Sequence, residues 1–227
     1  DKGCHVKDVK VNGKSIGAVE SYTCSSLKIY DRITVEFTDG MLPFTDVRET
    51  DWFYDDVVFA YENGLFSGTT ATTFSPYASM TRAMLVSILY RMAGEPDVSE
   101  LPEAPFVDVS DDAWYTAAVR WAYANEVVLG TDDTHFAPDA RLTRAQLVTM
   151  LYRAYGPEKG VRPRPIGGYT DWNTVPDWAY SATTWAVSMG ILYGTSSTEL
   201  SPNTGANRAQ LALFMMRTCR LQGELDS

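Results

Sequence analysis

A threefold internal repeat constrains this chain more than any other feature. Three segments read alike: Met80-Thr81-Arg82-Ala83-Met84-Leu85, Leu142-Thr143-Arg144-Ala145-Gln146-Leu147 and Ala206-Asn207-Arg208-Ala209-Gln210-Leu211. Trp52, Trp114 and Trp178 each stand 30 residues before the arginine of their own copy. Gly68, Gly130 and Gly194 stand 14 before it, each followed by threonine, and Pro76, Pro138 and Pro202 stand 6 before it. An aromatic-x-Asp opens each unit, ending in Asp46, Asp108 and Asp171. The copies are spaced by 62 and then 64 residues. A unit of this size cannot bury its own apolar face, so the copies must pack on one another.

Within a copy the pattern predicts two helices joined by a turn. The first follows the tryptophan and carries Val57, Ala60 and Tyr61 on one face, then Val119, Ala122 and Tyr123, then Thr183, Ala186 and Val187. Gly64 and Gly190 are expected to end it. The turn runs from Gly68 to Pro76 in the first copy. The second helix has an i, i+3, i+4, i+7 stripe: Leu85, Ile88, Leu89 and Met92; Leu147, Met150, Leu151 and Ala154; Leu211, Phe214, Met215 and Thr218. Gly94, Gly156 and Gly223 are expected to stop it. Residues 1–40 differ. Val6, Val9 and Val11 lead into Asn12-Gly13, a type I′ hairpin signal, Ile16 to Thr23 reads as a strand, and Ile33 to Phe37 alternates as another. The expected fold is mainly α: three helical repeats, residues 43–95, 106–157 and 169–223, in a closed pseudo-threefold bundle after a small β segment. A linear solenoid is the alternative on spacing alone.

Thr81, Thr143 and Asn207 are helix N-caps by residue type, and Gln146 and Gln210 stand where a capping box needs them; Met84 cannot complete one. Arginine in a first turn is an odd choice, because the helix dipole favours an acid there by roughly 0.3–1 kcal/mol. Repeating it three times assigns Arg82, Arg144 and Arg208 another task. One reading is capture of an anion beside free backbone N–H groups. The other is an ion pair with Asp46, Asp108 or Asp171 of a neighbouring copy. Those aspartates are expected chiefly to accept backbone N–H groups in a turn. Trp52, Trp114 and Trp178 could stack on sugar rings, yet a tryptophan repeated at one offset is expected to spend most of its area in the core. Gly68, Gly130 and Gly194 are expected to allow a left-handed turn and a close approach to the backbone. Arg91, Arg153 and Arg217 face away from the stripes and read as solvated or paired.

The net charge of −10 disfavours nucleic acid and anionic membranes as partners. No apolar run is long enough to cross a bilayer. The chain lacks an initiator Met and a signal-like start and reads as an excised fragment. Cys4 and Cys24 bracket the hairpin and could form a disulfide; two reduced thiols in a small sheet is the alternative. Cys219 reads as a small buried apolar residue. No nucleophile elbow, zinc-helix motif or phosphate loop is present. The two histidines, His5 and His135, are isolated. No enzyme activity, cofactor or metal is expected.

These motifs resemble the S-layer homology repeat, whose pattern joins Phe-x-Asp, Trp, a glycine turn, Phe-x-Pro and Thr-Arg-Ala-Glu. The resemblance covers about residues 43–222. It implies a pseudo-threefold spindle, an extracellular place on the cell wall of a Gram-positive-type bacterium, and binding of secondary cell-wall polysaccharide, often through a pyruvate ketal. It implies a monomer with internal symmetry. It also maps the family's motif arginine onto Arg82, Arg144 and Arg208, with Thr81, Thr143, Gln146 and Gln210 beside them. Residues 1–40 resemble the end of an upstream surface β module. The departures are Met84, Gln146 and Gln210 for the family's glutamate, Asn207 for threonine, and Glu126 where Gly64 and Gly190 stand. They predict unequal grooves, one or more of them silent. The competing functions are a self-assembling protein–protein module and, more remotely, a glycan-active enzyme.

Overall fold

The structure is a computed structural model and describes residues 5–17, 22, 32–38, 42–156 and 166–225. It is mainly α. Among the described residues, three short strands, β1 (His5–Val11), β2 (Lys14–Ser15) and β3 (Ile33–Thr38), precede six α-helices: α1 (Tyr54–Glu62), α2 (Arg82–Met92), α3 (Thr116–Ala124), α4 (Arg144–Tyr155), α5 (Asp177–Ser188) and α6 (Arg208–Leu225). The odd-numbered helices begin near the tryptophans. The even-numbered ones begin at the capping arginines, and their stripes from Leu85 to Leu89, Leu147 to Leu151 and Leu211 to Met215 are buried as the periodicity requires.

The chain divides into two compact units. The first joins Asp1–Ala78 to Asn207–Ser227. There α1 packs on α6, and β1 and β2 pack on the same helix pair. The strand order is β2-β1-β3, antiparallel throughout, with a bulge between Val6 and Asp8. Asn12 and Gly13 both take positive φ, 54° and 85°, the type I′ geometry that the sequence announces. Val9, Val11 and Ile16 form the sheet's own buried cluster. Asp8 is buried beside them, accepts from Ser15 Oγ at 2.6 Å, and burial raises its carboxyl above the ordinary value. The strand β2, Lys14–Ser15, precedes the segment from Ile16 to Thr23 where the sequence placed one; of that segment, Ile16, Gly17 and Tyr22 are described and lie outside any strand. Residues 18–21 and 23, and the Cys4–Cys24 pair, lie outside the described residues. Cys219 of α6 is a free thiol that burial pushes up to about 12. Helix α6 continues through Gly223 instead of stopping there.

The second unit is Ser79–Ala206, in which α2 packs on α3 and α4 on α5. Helix pairing therefore cuts across the sequence repeat. Each second helix packs on the first helix of the following copy, and the last, α6, packs on α1. The helix earliest in the chain thus packs on the last one rather than on the next in sequence. Three equivalent residues of the second unit also close a backbone ring: Met80 N donates to Ala206 O (3.0 Å), Ala206 N to Leu142 O (2.9 Å) and Leu142 N to Met80 O (2.9 Å). All three side chains are buried. Satisfying these groups mutually removes the cost of hiding unpaired backbone.

Candidate functional site

Each capping arginine meets the same kind of local setting, Arg82 and Arg144 within the second unit and Arg208 within the first. The caps form as residue type predicts. Thr81 Oγ1 accepts from Met84 N, Thr143 and Gln146 make a full capping box, and Asn207 and Gln210 make another. The free N–H groups of the anion-capture reading are not free. Arg82 N and Ala83 N donate to the Ala140 and Pro138 carbonyls, Arg144 N and Ala145 N to Thr204 and Pro202, Arg208 N and Ala209 N to Ala78 and Pro76. The proline turn of one copy thus caps the second helix of another. The orphan donors of the first turn are filled by protein, so these helix starts hold no vacant anion seat.

The guanidiniums are buried, with 6%, 3% and 6% of Arg82, Arg144 and Arg208 exposed. They donate to carbonyls. Arg82 Nε reaches Phe136 O at 2.7 Å. Arg144 reaches Leu200 O through Nε (3.3 Å) and Tyr193 O through Nη2 (2.5 Å). Arg208 reaches Phe74 O (2.7 Å) and Ser67 O (2.6 Å) in the same way. Arg82 also lies over the Phe136 ring, and Arg208 over Phe66 and Phe74. Burial lowers all three; Arg144 and Arg208 come down to about 10, against the opposing pull of Asp171 and Asp46 respectively. All stay cationic at neutral pH.

Asp46, Asp108 and Asp171 sit on the other side of the same turns. Each accepts two consecutive N–H groups at 2.7–2.8 Å, from Phe74 and Ser75, Phe136 and Ala137, Leu200 and Ser201. Ser75, Ala137 and Ser201 hold φ of 60°, 57° and 53°, a left-handed conformation that non-glycine residues avoid. The carboxylate fixes that residue, the next residue is the proline, and the proline carbonyl caps a helix. Burial alone would raise Asp108 and Asp171, but the N–H bonds outweigh it and hold both below the ordinary carboxylate range.

The tryptophans overturn the core expectation. Trp52, Trp114 and Trp178 are 58%, 65% and 56% exposed. The following residue, Phe53, Tyr115 or Ala179, turns inward instead, and Phe53 and Tyr115 meet their tryptophans edge to face at 5.2 and 5.1 Å. Trp121 and Trp185, seven residues after Trp114 and Trp178, are the buried ones. The glycines are only partly as expected. Gly130 alone takes positive φ, 83°; Gly68 and Gly194 do not. What all three share is lack of room: a Cβ would strike backbone carbonyls and the ring of Phe44, Phe106 or Tyr169. Glu126, by contrast, adopts φ 57° where its counterparts are glycines at 69° and 67°.

Exposed Tyr77, Leu129 and Tyr193 were not legible as surface residues. Nor was a cavity of about 300 Å³ in the second unit, lined by Phe106, Asp111, Thr116 and Arg120 among others. Its arginine has Val58 and Thr184 at the equivalent positions, so no repeat signal marks it.

A family model described as the S-layer homology domain matches residues 43–83, 105–148 and 168–212. The chain is 30% identical over 181 residues to an endoglucanase of Bacillus sp. (strain KSM-635), covering 79% of this chain and 19% of that protein. It is 32% identical over 121 residues to the surface-layer 125 kDa protein of Lysinibacillus sphaericus (51% and 10%). It is 32% identical over 192 residues to a cell surface protein of Thermoanaerobacter kivui (83% and 23%). The chain thus spans between a tenth and a quarter of the length of these relatives.

Proposed function

This chain belongs to the S-layer homology domain family, and from that premise we propose that it anchors a cell-surface protein to cell-wall polysaccharide without catalysing a reaction. The observation that carries the reading is the division of labour within each copy. Arginine, aspartate and proline turn are spent on one buried scaffold, and what that scaffold holds out is a tryptophan. A large flat ring kept half in water by a rigid frame suits the apolar C–H face of a sugar, and three at one offset suit a polymer of repeating sugars.

In this reading Trp52, Trp114 and Trp178 are glycan contacts. Gly68, Gly130 and Gly194 keep the adjoining loops tight. Asp46, Asp108 and Asp171, with Thr81, Thr143, Gln146 and Gln210, build the frame and touch no sugar. The polysaccharide is anionic and carries a carboxylate such as a pyruvate ketal. The setting is extracellular, on a Gram-positive-type wall, and the chain acts as a monomer. Residues 43–223 carry the three binding repeats, with residues 1–40 as the end of a preceding β module. The relatives' own names, an endoglucanase beside surface-layer proteins, fit an anchor attached to different partners.

Retention on purified sacculi tests this. Wild-type chain should sediment with sacculi and lose that retention once acid extraction has removed the polysaccharide. Combined substitution of Trp52, Trp114 and Trp178 by alanine should weaken retention at unchanged helical circular dichroism. Equal retention before and after extraction would refute the glycan as partner. Concentration-dependent self-association without glycan would support the assembly alternative.

A further inference from the structure

The cavity beside Arg120 has walls that the threefold repeat does not supply. It measures about 300 Å³, the lower end of the range that small-molecule sites occupy. Phe106 and Val119, both buried, form its apolar floor. Three of its polar lining residues are particular to the second copy. Thr116 stands where the other copies have Tyr54 and Tyr180, Arg120 where they have Val58 and Thr184, and Glu103 where they have Met41 and Ile166. A threonine in place of a phenol ring leaves the room that the cavity occupies.

Those walls are held in place. Arg120 Nε donates to the Leu101 carbonyl at 2.9 Å, and Nη2 donates to the Leu101 and Ser99 carbonyls, the latter at 3.3 Å. The guanidinium thereby straps the segment after α2 onto α3. The segment is braced from within as well: Asp97 accepts from Ser99 N and Ser99 Oγ, each at 2.9 Å, and Leu101 N donates to Val98 O at 3.0 Å. Arg120 Nη1 has no partner among the described residues, and neither has the Glu103 or the Asp111 carboxylate. Thr116 gives its proton to Ser110 O at 2.6 Å and keeps its lone pairs. The cavity thus offers a fixed donor, two carboxylate acceptors and an apolar floor, with two negative charges against one positive.

We propose that this cavity binds one amino sugar, a hexose ring carrying a free ammonium group. The ammonium lies between the Glu103 and Asp111 carboxylates, a ring hydroxyl accepts from Arg120 Nη1, and the C–H face of the ring rests on Phe106 and Val119. A neutral hexose leaves the surplus negative charge unanswered. A lysine-type stem answers the charge but gives Arg120 no acceptor. The ligand is a cation, opposite in sign to the anionic polysaccharide of the anchoring reading, and either site stands without the other.

Titration of the isotope-labelled intact chain, followed by amide NMR, tests this with methyl glucosaminide, its N-acetyl form, methyl glucoside and Nα-acetyl-lysine amide. Methyl glucosaminide should shift the amides of residues 99–120 in a single saturable step, more weakly at higher salt. The other three probes should bind at least ~10-fold more weakly, the cost of one lost charge-assisted hydrogen bond. Joint substitution Glu103→Gln and Asp111→Asn, at two exposed and unpaired side chains, should weaken methyl glucosaminide ~10-fold or more at unchanged helical circular dichroism. Thr116→Tyr restores the residue type of the other copies and should abolish binding with no fall in thermal midpoint. Equal affinity for any other probe, no saturable shift at residues 99–120, or wild-type affinity in the Glu103/Asp111 variant would overturn the site. Retention on sacculi reads the anchor separately, so the failure of one leaves the other standing.

Discussion

Replacing Asp171 by alanine probes the frame at one atom pair. The carboxylate accepts Leu200 N at 2.8 Å and Ser201 N at 2.7 Å, and Leu200 is fully buried. A hydrogen bond to a charged acceptor contributes about 1.5–3 kcal/mol, and leaving a buried donor unpaired costs a similar amount. Water can reach the half-exposed Ser201 end, so the pair together is worth about 3 kcal/mol rather than the sum of two full bonds. The effect also spreads: Ser201 is held at φ 53°, and Pro202 O caps Ala145 N of α4. For a chain of this size about 3 kcal/mol corresponds to a midpoint roughly 6–12 °C lower. Urea unfolding followed by helical circular dichroism measures it, with Asp171→Asn expected to lose about half as much. The sign with pH is fixed. Asp171 lies below its ordinary value in the fold, so its contribution is complete above about pH 4 and is lost as pH falls through the folded-state value. The gap between wild type and variant should therefore close in acid. A loss under ~1 kcal/mol at neutral pH, or a gap that does not narrow, would refute the carboxylate's role in setting the turn.

Three further outcomes follow from single sites. Glu126→Gly should raise stability by about 1 kcal/mol in the same assay, since it relieves a left-handed residue that its counterparts meet with glycine. Gly194→Ala should lower stability by about 2 kcal/mol or more, because the new methyl meets the Ser196 and Glu199 carbonyls and lies 2.7 Å from the Tyr169 ring. Asp56 behaves oppositely to Asp171. Burial lifts it to about 7 despite Arg217, so the stability it allows is full below about pH 4 and is lost as pH rises to about 7. Asp56→Asn should thus gain on wild type at pH 8 by a margin that vanishes near pH 4, read as thermal midpoints.

What the sequence discloses here is what neighbours in the chain decide. The caps at Thr81, Thr143 and Asn207, the hairpin at Asn12-Gly13 and the apolar stripes depend on spacings of a few residues, and all appear as read. What it conceals depends on partners far along the chain. The carbonyls that fill the helix starts come from Pro138, Pro202 and Pro76, and those that take the guanidiniums from as far away as Ser67 to Arg208, 141 residues. Residue type alone cannot report that an arginine's acceptor is a backbone oxygen of another copy. The tryptophans misled for a related reason. A hydrophobic ring at a fixed offset reads as core until the neighbour that takes the inward slot is known. Gly130 shares its residue type and offset with Gly68 and Gly194, and only the backbone distinguishes its φ.

The pairing of α1 with α6 sets an order of events during synthesis. A ribosome makes α1 well before its packing partner α6, so α1, β1 and β2 wait with an apolar side uncovered until α6 has emerged. Ser79–Ala206, whose helix pairs and backbone ring are complete without either end, faces no such delay. Truncation after about residue 206 should thus spare the middle of the chain and undo its beginning.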